Sequence, residues 1–399
     1  MADALSDERR PVVVAARRTP IGRAGGALAG VEVSTLLAAV IRDALADARA
    51  DPGLVDDVLV GNAVGGGGNP ARLAALEAGL PVEVPGVSVD RQCGSGLEAV
   101  VLACRLVAAG AGEVYLAGGG ESVSTAPWRV RPPRRPGGLP EFYARPRFAP
   151  ESVGDPEMGV AAENVAAAYG VSRRRQDEFA LRSHRRAVAA WRAGRFAAET
   201  TPVDTGRARV TRDECPRPDT SLAALAALPA VFVAGGTVTA GNSCPVNDGA
   251  AMVVVTSVAA ARRLGHRRGL GFVDAAGAGV DPGMLGIGPV AATRRLRARN
   301  PALDPRAVHR VEFNEAFAAQ VLASLDALGI DPEHVNLDGG ALALGHPYGA
   351  SGAVLVTRLY SQLVRERADG VPPCGARALA MMGIAGGLGI SALFESLAW

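Results

Sequence analysis

Val87-Ser88-Val89-Asp90-Arg91-Gln92-Cys93-Gly94-Ser95-Gly96-Leu97-Glu98-Ala99-Val100 decides how the chain is read. A short apolar run ends at a cysteine and glycines follow at once. Apolar residues then recur at Leu97, Val100, Val101, Cys104 and Val107, which is helical spacing. The cysteine therefore falls on a strand-to-helix turn, where helix N–H groups and the positive dipole end are expected to lower its pKa. Gly94 and Gly96 leave backbone room for a substrate. An isolated cysteine more often serves as a small buried hydrophobe, but glycines around a helix start favour a nucleophile.

Outward from this elbow, strands and helices alternate. Residues 11–18 predict a buried strand. Ser34 is placed to cap a helix reaching about Ala50, and Val55 to Val60 predicts a second strand. Gly65 to Gly68 has no helix-borne lysine or GxGxxG context behind it, so it predicts a turn rather than a phosphate cradle. Asn69-Pro70 opens a helix to Ala78, and Glu113 to Ala117 predicts a strand before Gly118-Gly119-Gly120. Such alternation indicates an α/β layered core. From Pro127 to Pro150 the texture turns to proline, arginine and isolated aromatics, an excursion from that core. Residues 158–195 read as helical, a polar stretch surrounds Cys215, and βα alternation returns from Gly271 to the end.

The bulk numbers narrow the classes. At 399 residues the chain has room for two or three domain-sized units. A net charge of +2 gives no case for nucleic acid. No apolar run approaches the ~18 residues of a membrane helix. Met1 to Arg10 lacks the apolar core of a signal peptide, so the expected location is the cytoplasm. Every one of the 42 basic residues is arginine, which excludes Schiff-base and P-loop lysine chemistry. The five cysteines, Cys93, Cys104, Cys215, Cys244 and Cys374, are odd in number and widely spaced, fitting neither a disulfide framework nor a metal pair. His184, His266, His309, His334 and His346 form no zinc spacing, so no metal site is expected.

Two polar clusters break the apolar texture of the second half. Phe313-Asn314-Glu315-Ala316-Phe317-Ala318 ends a strand and starts a helix. Gly345-His346-Pro347 follows Gly339-Gly340 and precedes Gly349-Ala350-Ser351-Gly352. A histidine set among glycines before a helix is poorly explained as core filling.

With these pieces the sequence resembles the thiolase family along essentially its whole length. The resemblance is carried by Arg18-Thr19-Pro20-Ile21-Gly22, the Cys93 elbow, Met158-Gly159 with Glu163-Asn164, and Gln176-Asp177. Gly236-Thr237-Val238-Thr239-Ala240-Gly241-Asn242, Asn314-Glu315-Ala316-Phe317 and Gly345-His346-Pro347 complete it. It implies a duplicated α-β-α-β-α layered core with an inserted loop domain. The halves would be 1–119 with 251–270, and 271–399; the loop domain, 120–250, would bind coenzyme A. No sequence repeat between the halves is evident. The resemblance makes Cys93 the nucleophile that takes an acyl group from a coenzyme A thioester. His346 would help generate the thiolate, Asn314 would hold a water beside it, and the backbone N–H groups of Cys93 and Ala385 would form an oxyanion hole. Arg217, Ser243 and Cys244 would contact coenzyme A, which is a substrate rather than a resident cofactor. A homodimer or homotetramer is expected, without a membrane. An acyl carrier protein is a second candidate partner, suited to the arginines of residues 129–147.

The pattern fails at one place. The family's C-terminal motif is Cys-x-Gly-Gly-Gly-x-Gly, and here Gly383-Ile384-Ala385-Gly386-Gly387-Leu388-Gly389 stands in its place. Gly383 thus replaces the thiol that, in the family, deprotonates the α-carbon of the second acyl-CoA, and glycine has no base to offer. Asp90 and Asp338, where the family tends to asparagine, add negative charge near motif residues. Several outcomes are open. These are Claisen chemistry with a relocated base (Cys244 a weak candidate), decarboxylative condensation, transfer to a heteroatom nucleophile or to water, and a silent acyl-CoA- or lipid-binding relative. The joint presence of Cys93, Asn314 and His346 favours an acyltransferase.

Overall fold

The computed structural model describes residues 7–365 and 373–399; part of the polar N-terminal stretch lies outside them. The main sheet contains β1 (Pro11–Arg18), β2 (Asp57–Gly61), β3 (Gly86–Val89), β4 (Val114–Glu121) and β5 (Asn247–Ser257). It continues with β6 (Arg268–Gly279), β7 (Arg310–Phe313), β8 (Arg377–Ile384) and β9 (Leu388–Ala398). Their order is β7-β8-β9-β6-β1-β5-β4-β2-β3. From β1 outward the pairings run antiparallel, antiparallel, parallel, parallel through β5, β4, β2 and β3. From β6 outward the same succession runs through β9, β8 and β7 to an isolated parallel bridge at Val335. The two halves therefore repeat one topology, and they meet where Val12 and Val13 pair with Gly271 and Leu270. Because strand side chains alternate between faces, each half of the sheet feeds two cores. Val13, Val253, Ala380 and Met382 face a shared middle layer, while Val12, Val254, Leu379 and Met381 face outward.

Helices fill the layers. Val33–Ala48 (α1) and Pro70–Glu77 (α2) cover the outer face of the first half. Ser95–Ala109 (α3) lies in the middle layer. Met158–Ala168 (α4) and Arg173–Arg192 (α5) belong to the excursion from the sheet. Gly288–Arg299 (α6) and Ala318–Leu328 (α7) cover the outer face of the second half. The short Ala341–Leu344 (α8) leads to Tyr348–Leu363 (α9), which packs on α3. Gln92–Ala109 is long and apolar enough by length and composition to cross a membrane, a point the run-length reading passed over. Here it is the middle-layer helix, with Leu97, Val100, Val101 and Cys104 buried in the middle layer between the two halves of the sheet.

Several boundaries differ from the sequence reading. Ser34 lies inside α1, whose cap position is Glu32 with no side-chain cap, while Asn69 does cap α2 by accepting from the Arg72 N–H at 3.3 Å. The helical stretch 158–195 breaks at Tyr169–Ser172 into α4 and α5. Strand β4 does not stop at Ala117 but runs through three glycines to Glu121. A Cβ on Gly119 would stand 1.9 Å from the Gly349 carbonyl oxygen, so those glycines let the start of α9 lie directly on the strand. Strand β4 ends at Glu121 and β5 begins at Asn247, so the chain leaves the sheet between them.

The middle helices also cross backbone to backbone. A Cβ at Gly96 would lie 2.4 Å from Gly349 O, and one at Gly352 would lie 2.3 Å from Leu97 N. Gly96→Ala is therefore expected to cost about 1–3 kcal/mol of stability by overpacking. Urea unfolding checks this, and a loss below about 0.5 kcal/mol would contradict the close crossing.

Candidate active site

After β3 the chain makes a tight elbow. The Asp90 carboxylate accepts the Gln92 N–H at 2.7 Å and its side-chain amide at 3.0 Å. Gln92 adopts the left-handed region, φ +47°, which costs a non-glycine residue energy; the Asp90 bonds offset that cost. Ser95 Oγ accepts the Arg91 N–H at 2.8 Å and donates to Gln92 O at 2.6 Å, closing the turn before α3. Cys93 thereby reaches the wall of a cavity of about 620 Å³, shared with Ala385, Tyr348, Met158, Phe148 and Trp128.

The expectation of a lowered thiol pKa is corrected here. Burial pushes the Cys93 thiol up to about 11. The N–H groups of Ala385 and of Cys93 itself work against that shift, and the carboxylates of Glu121 and Asp90 work with it. A helix N-terminus favours the thiolate, but desolvation and two like charges outweigh it. At neutral pH the Cys93 side chain is a thiol.

His346 is fixed at both ends of its residue. Its backbone N–H donates to Asn247 Oδ1 at 2.8 Å. Gly345 precedes it at φ +110°, where a Cβ would lie 2.6 Å from the Asn247 amide. On the ring, Nδ1 lies 2.6 Å from Ser351 Oγ and Nε2 lies 3.4 Å from Asn314 Nδ2. With the amide nitrogen facing it, Nε2 is the unprotonated acceptor, and Nδ1–H donates to Ser351. Burial holds the imidazole neutral, with its pKa lowered to about 4, so it is a free base at neutral pH. Asn314 is held where β7 ends, its N–H donating to Met381 O at 3.0 Å. The next residue, Glu315, is anchored by Ser183 at 2.6 Å and Asn336 at 2.7 Å.

Three residues not singled out in the sequence complete this set. Ser351 orients the imidazole. Tyr348 packs edge-on against His346, with centroids 5.2 Å apart. Glu121 accepts from Ala63 N–H and Gly349 N–H, both at 3.0 Å, tying the cavity wall to the start of α9. Burial raises Glu121 to about 7 against these bonds. The spacing His346 to Ser351 was the one available signal, a hydroxyl on the first turn of the helix that follows the histidine.

The residues expected to meet coenzyme A divide between two places. Arg217 and Ser243 line one small cavity of about 40 Å³ together with His184. There Ser243 Oγ is buried without a hydrogen-bond partner among the described residues, and His184 Nδ1 accepts the Arg217 N–H at 3.2 Å. Arg217 also borders an open cleft of about 470 Å³ that carries Arg185 and Arg192. Cys244 lines neither of these; burial raises its pKa, and the charge of Cys93 raises it further.

The two departures in charge have structural partners. Asp90 holds the elbow. Asp338 pairs with Arg195 at 2.7 Å and with Arg358, so its charge is balanced. Gly383 extends the outward face of β8 toward α7, and the amide of Gln320 fills the space beside it.

Comparison with known proteins places these features. Residues 11–259 match the model of the thiolase N-terminal domain and residues 270–396 that of the thiolase C-terminal domain. The chain is 44% identical to a Staphylococcus epidermidis protein named "Putative acetyl-CoA C-acetyltransferase VraB", over 97% of this chain and 98% of that one. Its fold is similar to that of the Bacillus anthracis acetyl-CoA acetyltransferase, with TM-score 0.87, 35% identity, and 97% of this chain and 99% of that one covered. It is similar also to human mitochondrial 3-ketoacyl-CoA thiolase, with TM-score 0.89, 36% identity, and 98% of this chain and 100% of that one covered.

Proposed function

The chain belongs to the thiolase family, and from that premise we propose that it is an acyltransferase that loads an acyl group from an acyl-CoA onto Cys93. It then passes that group to an acceptor whose nucleophile forms without proton abstraction at position 383. One observation carries the reading: Cys93 and the backbone of Ala385 share the wall of one cavity, with no side chain at Gly383. In loading, the thiol proton passes to His346 Nε2 as sulfur attacks the acyl carbon, and coenzyme A leaves as the thiol carrying that proton. The two N–H groups that favour the thiolate are then positioned for the thioester oxygen as it becomes an oxyanion. Acid–base assistance by the imidazole and electrostatic stabilisation by the N–H pair are separate contributions. Ser243 and Cys244 are consecutive, so one turn of chain leads from the Arg217 cavity to the thiol, a path that suits the arm of coenzyme A.

The names of the relatives suggest carbon–carbon chemistry with acetyl groups. Cys244, the relocated base considered from the sequence, is held as a thiol by burial, which drives its pKa up, so little thiolate is available to abstract a proton. Incubation with acetoacetyl-CoA, followed by intact-mass measurement and with Cys93→Ala as control, tests the reading. The expected result is the uncut acetoacetyl adduct on Cys93. A shortened acetyl adduct would mean that carbon–carbon cleavage survives, and would overturn the absence of a base. No adduct with any CoA ester would leave a binding protein in place of an enzyme.

A further inference from the structure

Residues 127–150 carry six arginines, and most of them are engaged. Arg131 and Arg134 pair with Glu141 at 3.6 and 3.7 Å, Arg147 pairs with Glu151, and Arg145 is held by Asp155 at 2.9 Å and Glu157 at 3.0 Å. Arg145 and Arg131 also lie over the rings of Phe148 and Tyr143. Arg129 differs. Its carbonyl accepts the Tyr143 N–H at 3.1 Å, at the base of a two-stranded ribbon that pairs Val130–Arg131 with Glu141–Phe142. That bond fixes Arg129, half-buried, in the wall of the cavity that holds Cys93. Among the described residues, no carboxylate pairs with its guanidinium and no ring lies under it. No described residue lining this cavity is acidic, and Trp128, Phe142, Phe148, Val64 and Met158 make much of its wall apolar.

We propose that the acyl group taken up by Cys93 ends in a carboxylate bound by Arg129, so that the donor is the mono-coenzyme A thioester of an α,ω-dicarboxylic acid. This rests on the acyl-cysteine reading above. A guanidinium set in an apolar wall has lost part of its hydration, and an anion in the cavity restores that loss. At about 620 Å³ the cavity is also far larger than an acetyl group needs. The planar fork of arginine suits a carboxylate through two parallel N–H bonds, and the apolar wall suits the methylene chain between the two ends. A methyl-ended chain would fill the wall but leave the cation unpaired. In loading, the cysteine sulfur bonds to the thioester carbon, coenzyme A leaves as the thiol with the proton that the cysteine gave up, and the distal carboxylate keeps its charge throughout. The phosphates of coenzyme A are the other anions within the chemistry of Arg129. They are common to every CoA ester, whereas a distal carboxylate is not.

The test follows the loading of Cys93 by intact mass at pH 7, with adipyl-CoA and suberyl-CoA set against hexanoyl-CoA and octanoyl-CoA, chains of equal carbon number. The protein has no lysine to be acylated at random, and Cys93→Ala corrects for what remains. In wild type at least one dicarboxylic ester is expected to load about tenfold or more faster than its methyl-ended counterpart. Arg129→Met keeps an apolar stem and removes the cation, so it is expected to abolish that preference, while Arg129→Lys keeps part of it. Methyl-ended esters that load as fast as both dicarboxylic ones in wild type would overturn the substrate class and leave the acyl-cysteine reading standing. A preference that survives in Arg129→Met would overturn the role of Arg129. An equal loss for all four esters in that variant would assign Arg129 to the phosphates of coenzyme A, which also overturns it. Failure of every ester to load would sink the acyl-cysteine reading itself, and this inference with it.

Discussion

Replacing His346 by alanine is expected to slow acylation of Cys93 at pH 7 by about 10²–10⁴-fold, the range that a positioned acid–base contributes. Burial holds the Cys93 thiol at about 11. At neutral pH only about one part in ten thousand is thiolate, so the unassisted nucleophile is scarce. His346, lowered to about 4 by burial, is unprotonated across the neutral range and, in the proposed loading step, takes the thiol proton as the bond forms. The sign of the pH dependence follows. In wild type the acylation rate should rise through about pH 4 and then stay nearly flat until the thiol itself ionises. In His346→Ala that plateau disappears, and the rate should climb about tenfold per pH unit toward 11. Acylation by acetyl-CoA, followed by mass from pH 5 to 9, measures both profiles. A flat neutral-pH profile in His346→Ala would mean that the thiolate arises without the imidazole.

The elements of this site were legible in the sequence to unequal degrees. Cys93, Asn314 and His346 each lie on a strand-to-helix or pre-helix turn flanked by residues that local patterning cannot otherwise explain. The ionisation state of Cys93 was not legible. A local reading sees the helix N-terminus but neither the desolvation nor Glu121, which comes from the far end of β4. Asp338 was read only as added negative charge near motif residues because its partners, Arg195 and Arg358, lie on other elements. Gln320 gave no signal: one glutamine in the apolar helix Ala318–Leu328 reads as a surface position until Gly286 and Gly383 are seen to hollow out its pocket. The duplication was invisible for a different reason. Each half repeats strand pairing and handedness, which any sequence with the right alternation satisfies, so the symmetry survives without residue identity.

Glu199→Ala is expected to cost about 3–5 kcal/mol of stability, because it leaves two buried guanidinium groups short of a partner. Glu199 is fully buried. It accepts from Arg18 at 2.7 Å and from Ser361 at 2.6 Å, and it also pairs with Arg358. Arg18 turns its other face to Asp213 at 2.7 Å, Arg358 reaches Asp338, and both guanidinium groups lie over the Phe196 ring. The cluster joins the end of β1, the chain between α5 and β5, and α9. It thus fixes the position of the excursion against the core, and Asp338 links it to the segment that carries His346. Burial alone would raise the Glu199 pKa, but Arg358 and Arg18 overcome it and hold the carboxyl below its usual value. A lowered folded-state pKa stabilises above the unfolded value of about 4.5, and that stabilisation is lost as pH falls through the folded value. The deficit of Glu199→Ala should therefore be fully present at pH 7 and should shrink in acid. Urea unfolding of both proteins at pH 7 and at pH 3 to 4 measures this. A deficit under 1 kcal/mol at pH 7, or one that grows as pH falls, would show that the arginines find other partners and that the cluster does not hold the two parts together.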